Sequence, residues 1–242
     1  MFALALLVTS LYASQFTSLD ANGNCPKQNG KVGDFTMNVL ATMWVGTSCL
    51  NDKPGSGVGP VRGTSLFTIH GLWPGKNSTT WPECCNTSYP FKSSEISGLS
   101  NLKQNWISTK GSDDSFYAHE WEKHGTCAMN LFSSERAYFE KTVGLNQRLN
   151  LGGILSRAGI NPGNTMYAKS SVLSALKNGL GAEPLLECAT VNGQKMLSAV
   201  YVCTDASSSL RVQSCTSDYY SKYANKCPAN FYLPAIPDSC YR

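Results

Sequence analysis

The sequence predicts an α+β domain built on a central antiparallel sheet with several helices and held by disulfides. Strand-like runs lie toward both ends, helical periodicity fills the middle, and ten cysteines follow an apolar N-terminus. Phe35 to Trp44 (FTMNVLATMW) and Leu66 to His70 (LFTIH) read as strands. Gly63-Thr64 and Gly71 bound the second, which puts His70 at a strand end. Between them Lys53 to Gly63, with four glycines and two prolines, reads as a loop placed to flank a site. Ser94 to Ile107 spaces Ile96, Leu99, Leu102 and Trp106 as a helix does, with Ser94 as its cap. Two more helices are expected over Phe116 to Gly125 and over Ser133 to Leu149, where Tyr138, Val143 and Leu145 recur among charges. Ala199 to Thr204 and Leu210 to Ser214 read as paired strands around the turn Ser207-Ser208-Ser209.

At 242 residues, with 42% hydrophobic and 15% charged, the chain has the size and composition of one folded domain and not of a disordered segment. A net charge of +4 favours a polyanion only weakly, because Lys and Arg are scattered rather than gathered into a stripe. Phe2 to Tyr12 is an apolar run of signal-peptide length, too short to cross a bilayer, and Ala13-Ser14 follow as small residues for cleavage. Residues 1–14 therefore read as a signal peptide and 15–242 as a single domain, with no membrane contact once the signal is removed. The triplets Asn77-Ser78-Thr79 and Asn86-Thr87-Ser88 are acceptor sequons, which agrees with a secretory route. A monomer is the default expectation.

Only three histidines occur, and they fall in two short segments, FTIHGLWPG (Phe67 to Gly75) and FYAHEWEKHGTC (Phe116 to Cys127). On a helix, His119, Glu120, Lys123 and His124 project to one side. Trp121 beside them, and a Gly125-Thr126-Cys127 stop, suggest a helix end that is anchored rather than a solvated charged face. A zinc-protease helix carries histidines four apart; His119 and His124 are five apart and differ by about 140° around the axis. No metal and no other cofactor is expected. A serine hydrolase signature, Gly-x-Ser-x-Gly, is missing from the sequence, and ten cysteines can all pair. What remains is acid/base chemistry with cationic stabilisation of an anion. Cleavage within RNA needs that set: the 2'-hydroxyl loses a proton, the 5'-oxygen gains one, and a dianionic phosphorane forms between them. Two imidazoles, with ordinary pKa values of about 6.5, can divide the proton transfers.

At His70-Gly71-Leu72-Trp73-Pro74 and His119-Glu120-Trp121-Glu122-Lys123-His124-Gly125-Thr126-Cys127 the chain resembles the ribonuclease T2 family, specifically its plant-type S-like members. The resemblance runs from about Phe35 to the C-terminal cysteines. It implies a T2-like α+β fold and a metal-independent endoribonuclease, secreted or vacuolar, that cuts single-stranded RNA through a 2',3'-cyclic phosphate. It implies His124 as general base, His70 as general acid, His119 on the phosphate, and Glu120 and Lys123 as stabilisers of the transition state. Trp73 and Phe116 occupy places where the family stacks a nucleobase. Gly75 stands where many relatives have Asp or Asn, and Met43 where many have Gln, so weak or altered base preference is expected. The resemblance also suggests disulfides Cys85–Cys127, Cys188–Cys227 and Cys203–Cys215. Cys25, Cys49, Cys84 and Cys240 then allow three pairings, of which Cys49–Cys84 with Cys25–Cys240 is preferred. The reading from another class is a non-catalytic storage or recognition protein on the same fold.

Overall fold

The computed structural model describes residues 25–53 and 58–241. The expected signal peptide, 1–14, lies outside them. In chain order the elements are β1 (Met37–Trp44), α1 (Val45–Asp52), β2 (Phe67–Gly75), α2 (Leu102–Asn105), α3 (Asp113–Lys123), α4 (Glu135–Leu149), α5 (Leu151–Arg157), β3 (Met166–Ala168), α6 (Lys169–Leu180), β4 (Leu185–Val191), β5 (Gln194–Asp205), α7 (Ser217–Tyr223) and β6 (Asn230–Tyr232). Short 3₁₀ turns follow at Gly125–Ala128 and Asp238–Cys240.

The six strands form one sheet in the order β2-β1-β5-β6-β3, with β4 added on β5. All pairings are antiparallel except β5 with β6. β1 is central and covered on both faces, which is why FTMNVLATMW reads as nearly continuous apolar sequence. Its polar side chains bond inside: Asn38 Nδ2 donates to the Asp205 carbonyl at 3.0 Å and Thr42 Oγ1 to that of Val200 at 2.8 Å, while Asn38 Oδ1 has no hydrogen-bond partner among the described residues. Leu40, Trp44, Ile69 and Leu72 face a large core shared with Trp106, Tyr117, Trp121 and Tyr138. Met37, Val39, Ala41 and Tyr201 face the other side, where α7 contributes Tyr219. The cavity described below opens on that second face.

Several expectations need correction. The helix over Ser94 to Ile107 shrinks to the single turn Leu102–Asn105, because Gly98 (φ +69°) and Asn101 (φ +61°) take left-handed conformations that no α-helix continues through. Ile96, Leu102 and Trp106 still reach the core, so their spacing reported burial and not helix. Leu210 to Ser214 forms no strand: only Thr204 and Val212 form a bridge, Leu210 sits at φ +49°, and the return is held by Arg211 on the Asp205 carboxylate. Of the loop Lys53 to Gly63, residues 54–57 lie outside the described set; Arg62 packs on Asp238 and Tyr241, so the described part does not flank the site.

Disulfides join Cys85–Cys127, Cys188–Cys227 and Cys203–Cys215. The other four pair as Cys25–Cys84 and Cys49–Cys240, not as Cys49–Cys84 and Cys25–Cys240. The reason is tertiary. α1 carries Cys49 against the C-terminal segment, where Trp44 Nε1 donates to the Pro234 carbonyl at 2.9 Å. Cys84 meets the segment at 25–30, which carries Cys25, with Asn29 N on its carbonyl at 3.1 Å.

The β4–β5 hairpin turns on Asn192 (φ +50°) and Gly193 (φ +77°), the two-residue loop whose twist suits paired strands. Gly193→Ala forces a Cβ into that conformation and is expected to lower the unfolding free energy by about 1 kcal/mol, read as an earlier urea midpoint.

Candidate active site

The site is made where β2 meets the end of α3. β1 and β2 run in register through Thr42↔Ile69 and resume at Ala41↔Gly71, so His70 is an extra residue in the ladder. This bulge frees His70 to line a cavity of about 350 Å³ with Trp73, His119, Glu120, Lys123 and His124. Tyr138 of α4 pins the strand just beyond it, accepting from Leu72 N at 3.3 Å and donating to Leu72 O at 3.0 Å.

α3 starts three residues before the expected Phe116. Ser112 caps it, accepting from Ser115 N at 3.1 Å, and Asp113 and Asp114 favour the first turn electrostatically. Its far end is tied down in several ways. Trp121 is buried and donates to the Tyr89 carbonyl at 2.9 Å; Thr126 Oγ1 donates to Glu122 O at 2.8 Å and accepts from Cys85 N; Cys127 is bonded to Cys85. Gly125 passes so close over Trp121 that a Cβ there would collide with the indole.

Glu120 is the hub. Its Oε2 accepts from Trp73 Nε1 at 2.9 Å, while Oε1 lies 3.5 Å from His70 Nε2 and 4.0 Å from His119 Nε2. The carboxylate thus faces His70 and His119. His124 is buried with its ring 5.4 Å from that of Trp73, and its Nδ1 has no hydrogen-bond partner among the described residues. Lys123 reaches Glu83 Oε2 at 3.7 Å. Phe116 packs 5.5 Å from the His70 ring but does not line the cavity.

Burial pushes the Glu120 carboxyl up to about 8, against the opposing pulls of the Trp73 hydrogen bond and the Lys123 charge. Burial, then the charges of His119, Lys123 and Lys110, push His70 down to about 4, although 42% of its side chain is open toward the cleft. Burial, then Lys123, His119 and His70, hold His124 well below its ordinary value. Near neutral pH the site thus holds His70 and His124 as neutral imidazoles and Glu120 as a protonated carboxyl. An arriving phosphate supplies the negative charge that favours protonating a histidine.

The cavity continues past the histidines into an aromatic half lined by Trp81, Tyr201, Tyr219 and Tyr223, with Lys222 at its edge. The sequence reading missed this half and Glu83 as well. Trp81, eight residues after Trp73, was the one signal available; the tyrosines come from distant β5 and α7. Among the described residues, no group of three or more His, Cys, Asp or Glu is arranged to hold a metal ion, and no helix is long and apolar enough to cross a membrane.

A sequence model of the ribonuclease T2 family matches residues 35–215. The extracellular ribonuclease LE of Solanum lycopersicum is 36% identical over 187 residues, 74% of this chain and 80% of that protein. The intracellular ribonuclease LX of the same plant is 35% identical over 185 residues, 73% of this chain and 76% of that protein. The crystal structure of RNase NT in complex with 5'-AMP superposes with a TM-score of 0.71 at 31% identity, covering 83% of this chain and 98% of that one.

Proposed function

Because the chain belongs to the ribonuclease T2 family and is an endoribonuclease of that type, we propose that it cleaves single-stranded RNA by metal-independent transphosphorylation, with weak or altered base preference. The observation that carries this reading is the convergence of His70, His119, His124, Lys123 and Glu120 on a single cavity. His124, neutral and buried, takes the proton of the 2'-hydroxyl as its oxygen attacks phosphorus. His70 delivers a proton to the departing 5'-oxygen, leaving a 2',3'-cyclic phosphate. His119 and Lys123 hold the phosphoryl oxygens, and Glu120 donates from its carboxyl as charge builds on them. Trp73, tied to Glu120, supports stacking of a base within reach of this chemistry. For Phe116, behind His70, the geometry supports buttressing the imidazole more than stacking a base.

The cellular setting follows the same reading: removal of 1–14, one domain over 15–242, monomeric, and a secreted or vacuolar enzyme. One relative's name puts that protein outside the cell and the other's inside it. Asn77 and Asn86 are partly exposed and open to glycosylation; Asn77 Oδ1 accepts from Thr79 N at 3.0 Å.

The test is incubation of the mature protein with a short single-stranded RNA in excess EDTA, with product ends identified by mass. Fragments ending in 2',3'-cyclic phosphate are expected. Silence from folded, fully oxidised protein would favour the storage or recognition reading, and activity only with added zinc a metallohydrolase.

The pH dependence has a definite sign. The acid must be protonated and the base neutral, and both histidines titrate below their ordinary value. Above the range in which the two titrate, raising the pH gains nothing more at the base and only removes the acid's proton. kcat/KM is expected to peak below pH ~6.5 and to fall toward pH 8. A flat profile from pH 5 to 8 would refute the two-histidine mechanism.

A further inference from the structure

β2 ends at Gly75, just after Trp73-Pro74, where the chain offers no side chain to the cavity. Another residue takes up that space. A Cβ on Gly75 would lie 3.1 Å from the hydroxyl of Tyr219, which arrives from α7. α7 lies beyond residues 35–215, the part matched by the family model. The helix is nevertheless fixed to the cavity wall by two of its side chains, four residues apart, that grip the backbone of one residue. The Asp218 carboxylate accepts from Ser78 N, and Lys222 Nζ donates to Ser78 O at 2.7 Å. Lys222 also lies 5.7 Å from the centroid of Trp81. Tyr219 is thus held, with its ring buried, beside the aromatic half of the cavity.

We propose that Tyr219, backed by Lys222, is the base-selecting residue of this enzyme, supplying from α7 the hydrogen-bonding group that Gly75 lacks and favouring guanine and uracil over adenine and cytosine. This rests on the endoribonuclease reading of the same cavity. The direction of the preference comes from the donors and acceptors available. Among the described residues the Tyr219 hydroxyl has no hydrogen-bond partner. Burial pushes its pKa up to about 12, so it keeps its proton to donate. An ammonium has donors only. The Tyr201 hydroxyl already donates to Glu187, and Glu120, the one carboxylate lining the cavity among the described residues, is engaged by Trp73 at the other end. The aromatic half therefore offers the Tyr219 hydroxyl and the Lys222 ammonium as donors, and for an exocyclic amine it has neutral hydroxyl oxygens but no free carboxylate, the stronger acceptor. Bases with carbonyl edges suit it, whereas adenine and cytosine bring amino groups to those edges. The aromatic walls fit a flat base better than a hydrated phosphate.

The experiment compares kcat/KM on four dinucleotides that differ only in the base 5' to the scissile bond. Guanosine and uridine substrates are expected to exceed adenosine and cytidine substrates by about tenfold, and Tyr219→Phe to bring that ratio below about twofold. The double variant Gly75→Asp/Tyr219→Ala moves the polar group back to β2 as an acceptor, and should reverse the order toward the amino bases. A wild-type enzyme without the preference, or a Tyr219→Phe enzyme that keeps it, would overturn the proposal and leave the ribonuclease reading intact. Failure of the folded wild type to cleave any of the four would overturn that reading, and this proposal with it.

Discussion

His124→Ala is expected to lower kcat/KM on RNA by about 10²–10⁴-fold, the range of a lost general base, with little change in folding. The second half of that expectation comes from its surroundings. His124 follows α3, and its backbone N–H already closes the helix on Glu120 O at 3.1 Å, a bond that alanine keeps. Its Nδ1 has no hydrogen-bond partner among the described residues, so removing the ring strands no polar neighbour on that side. The residual cost is a small cavity beside Trp73, and a thermal melt should show a shift of a few degrees at most. His70→Ala should lose a comparable factor, for the opposite proton. Leaving groups separate the two roles. An aryl ester of a nucleoside 3'-phosphate departs without protonation, so it should largely restore turnover by the His70→Ala enzyme and leave His124→Ala impaired. Rescue of His124→Ala instead would exchange the roles, and rescue of neither would remove His70 from leaving-group protonation.

These two histidines were legible in the sequence because each stands in a short segment whose meaning is local. The same holds for β1 and α4, and for α3 apart from its first turn, where the apolar pattern agrees with burial. What was not legible depends on register or on distant chain. The bulge that releases His70 is a mismatch between β1 and β2, and no single strand displays it. Glu120 was placed on the right face of its helix, but its partners, Trp73 and His70, lie on another element. Tyr219 reaches the cavity only because α7 is clamped to Ser78, some 140 residues earlier in the chain. Other misses had local signals that went unread. Asn192-Gly193 between apolar runs marks a hairpin, and Gly181 after Lys169–Leu180 marks a helix end. The Ser94 to Ile107 error is the converse, since an apolar spacing that fits a helix fits equally a string of turns pressed on a core.

Gly71→Ala is expected to damage the enzyme more than any other single methyl group in this part of the fold. The Cβ would collide with Glu120 Oε2 and Trp73 Nε1, the two atoms joined by the hydrogen bond at the hub of the site. Neither can give way cheaply. Glu120 is wholly buried at the end of a helix anchored by Trp121 and the Cys85–Cys127 bond, and Trp73 belongs to β2, pinned at Leu72 by Tyr138. Overpacking of this kind costs about 1–3 kcal/mol, and a displacement of about 1 Å in a positioned group costs about 10²-fold in rate. Both losses should appear together, in the urea midpoint and in kcat. The alkaline limb of the pH profile, where Glu120 loses the proton it donates, should move upward too, because Glu120 would be parted from the Trp73 hydrogen bond that restrains its pKa. Gly144→Ala supplies the contrast: it lies within α4, at no positive φ, with nothing within 4 Å of the added atom. That change should stabilise the fold by about 0.5–1 kcal/mol and leave cleavage unaltered. Equal effects at the two positions would mean that the close approach at Gly71 carries no catalytic geometry.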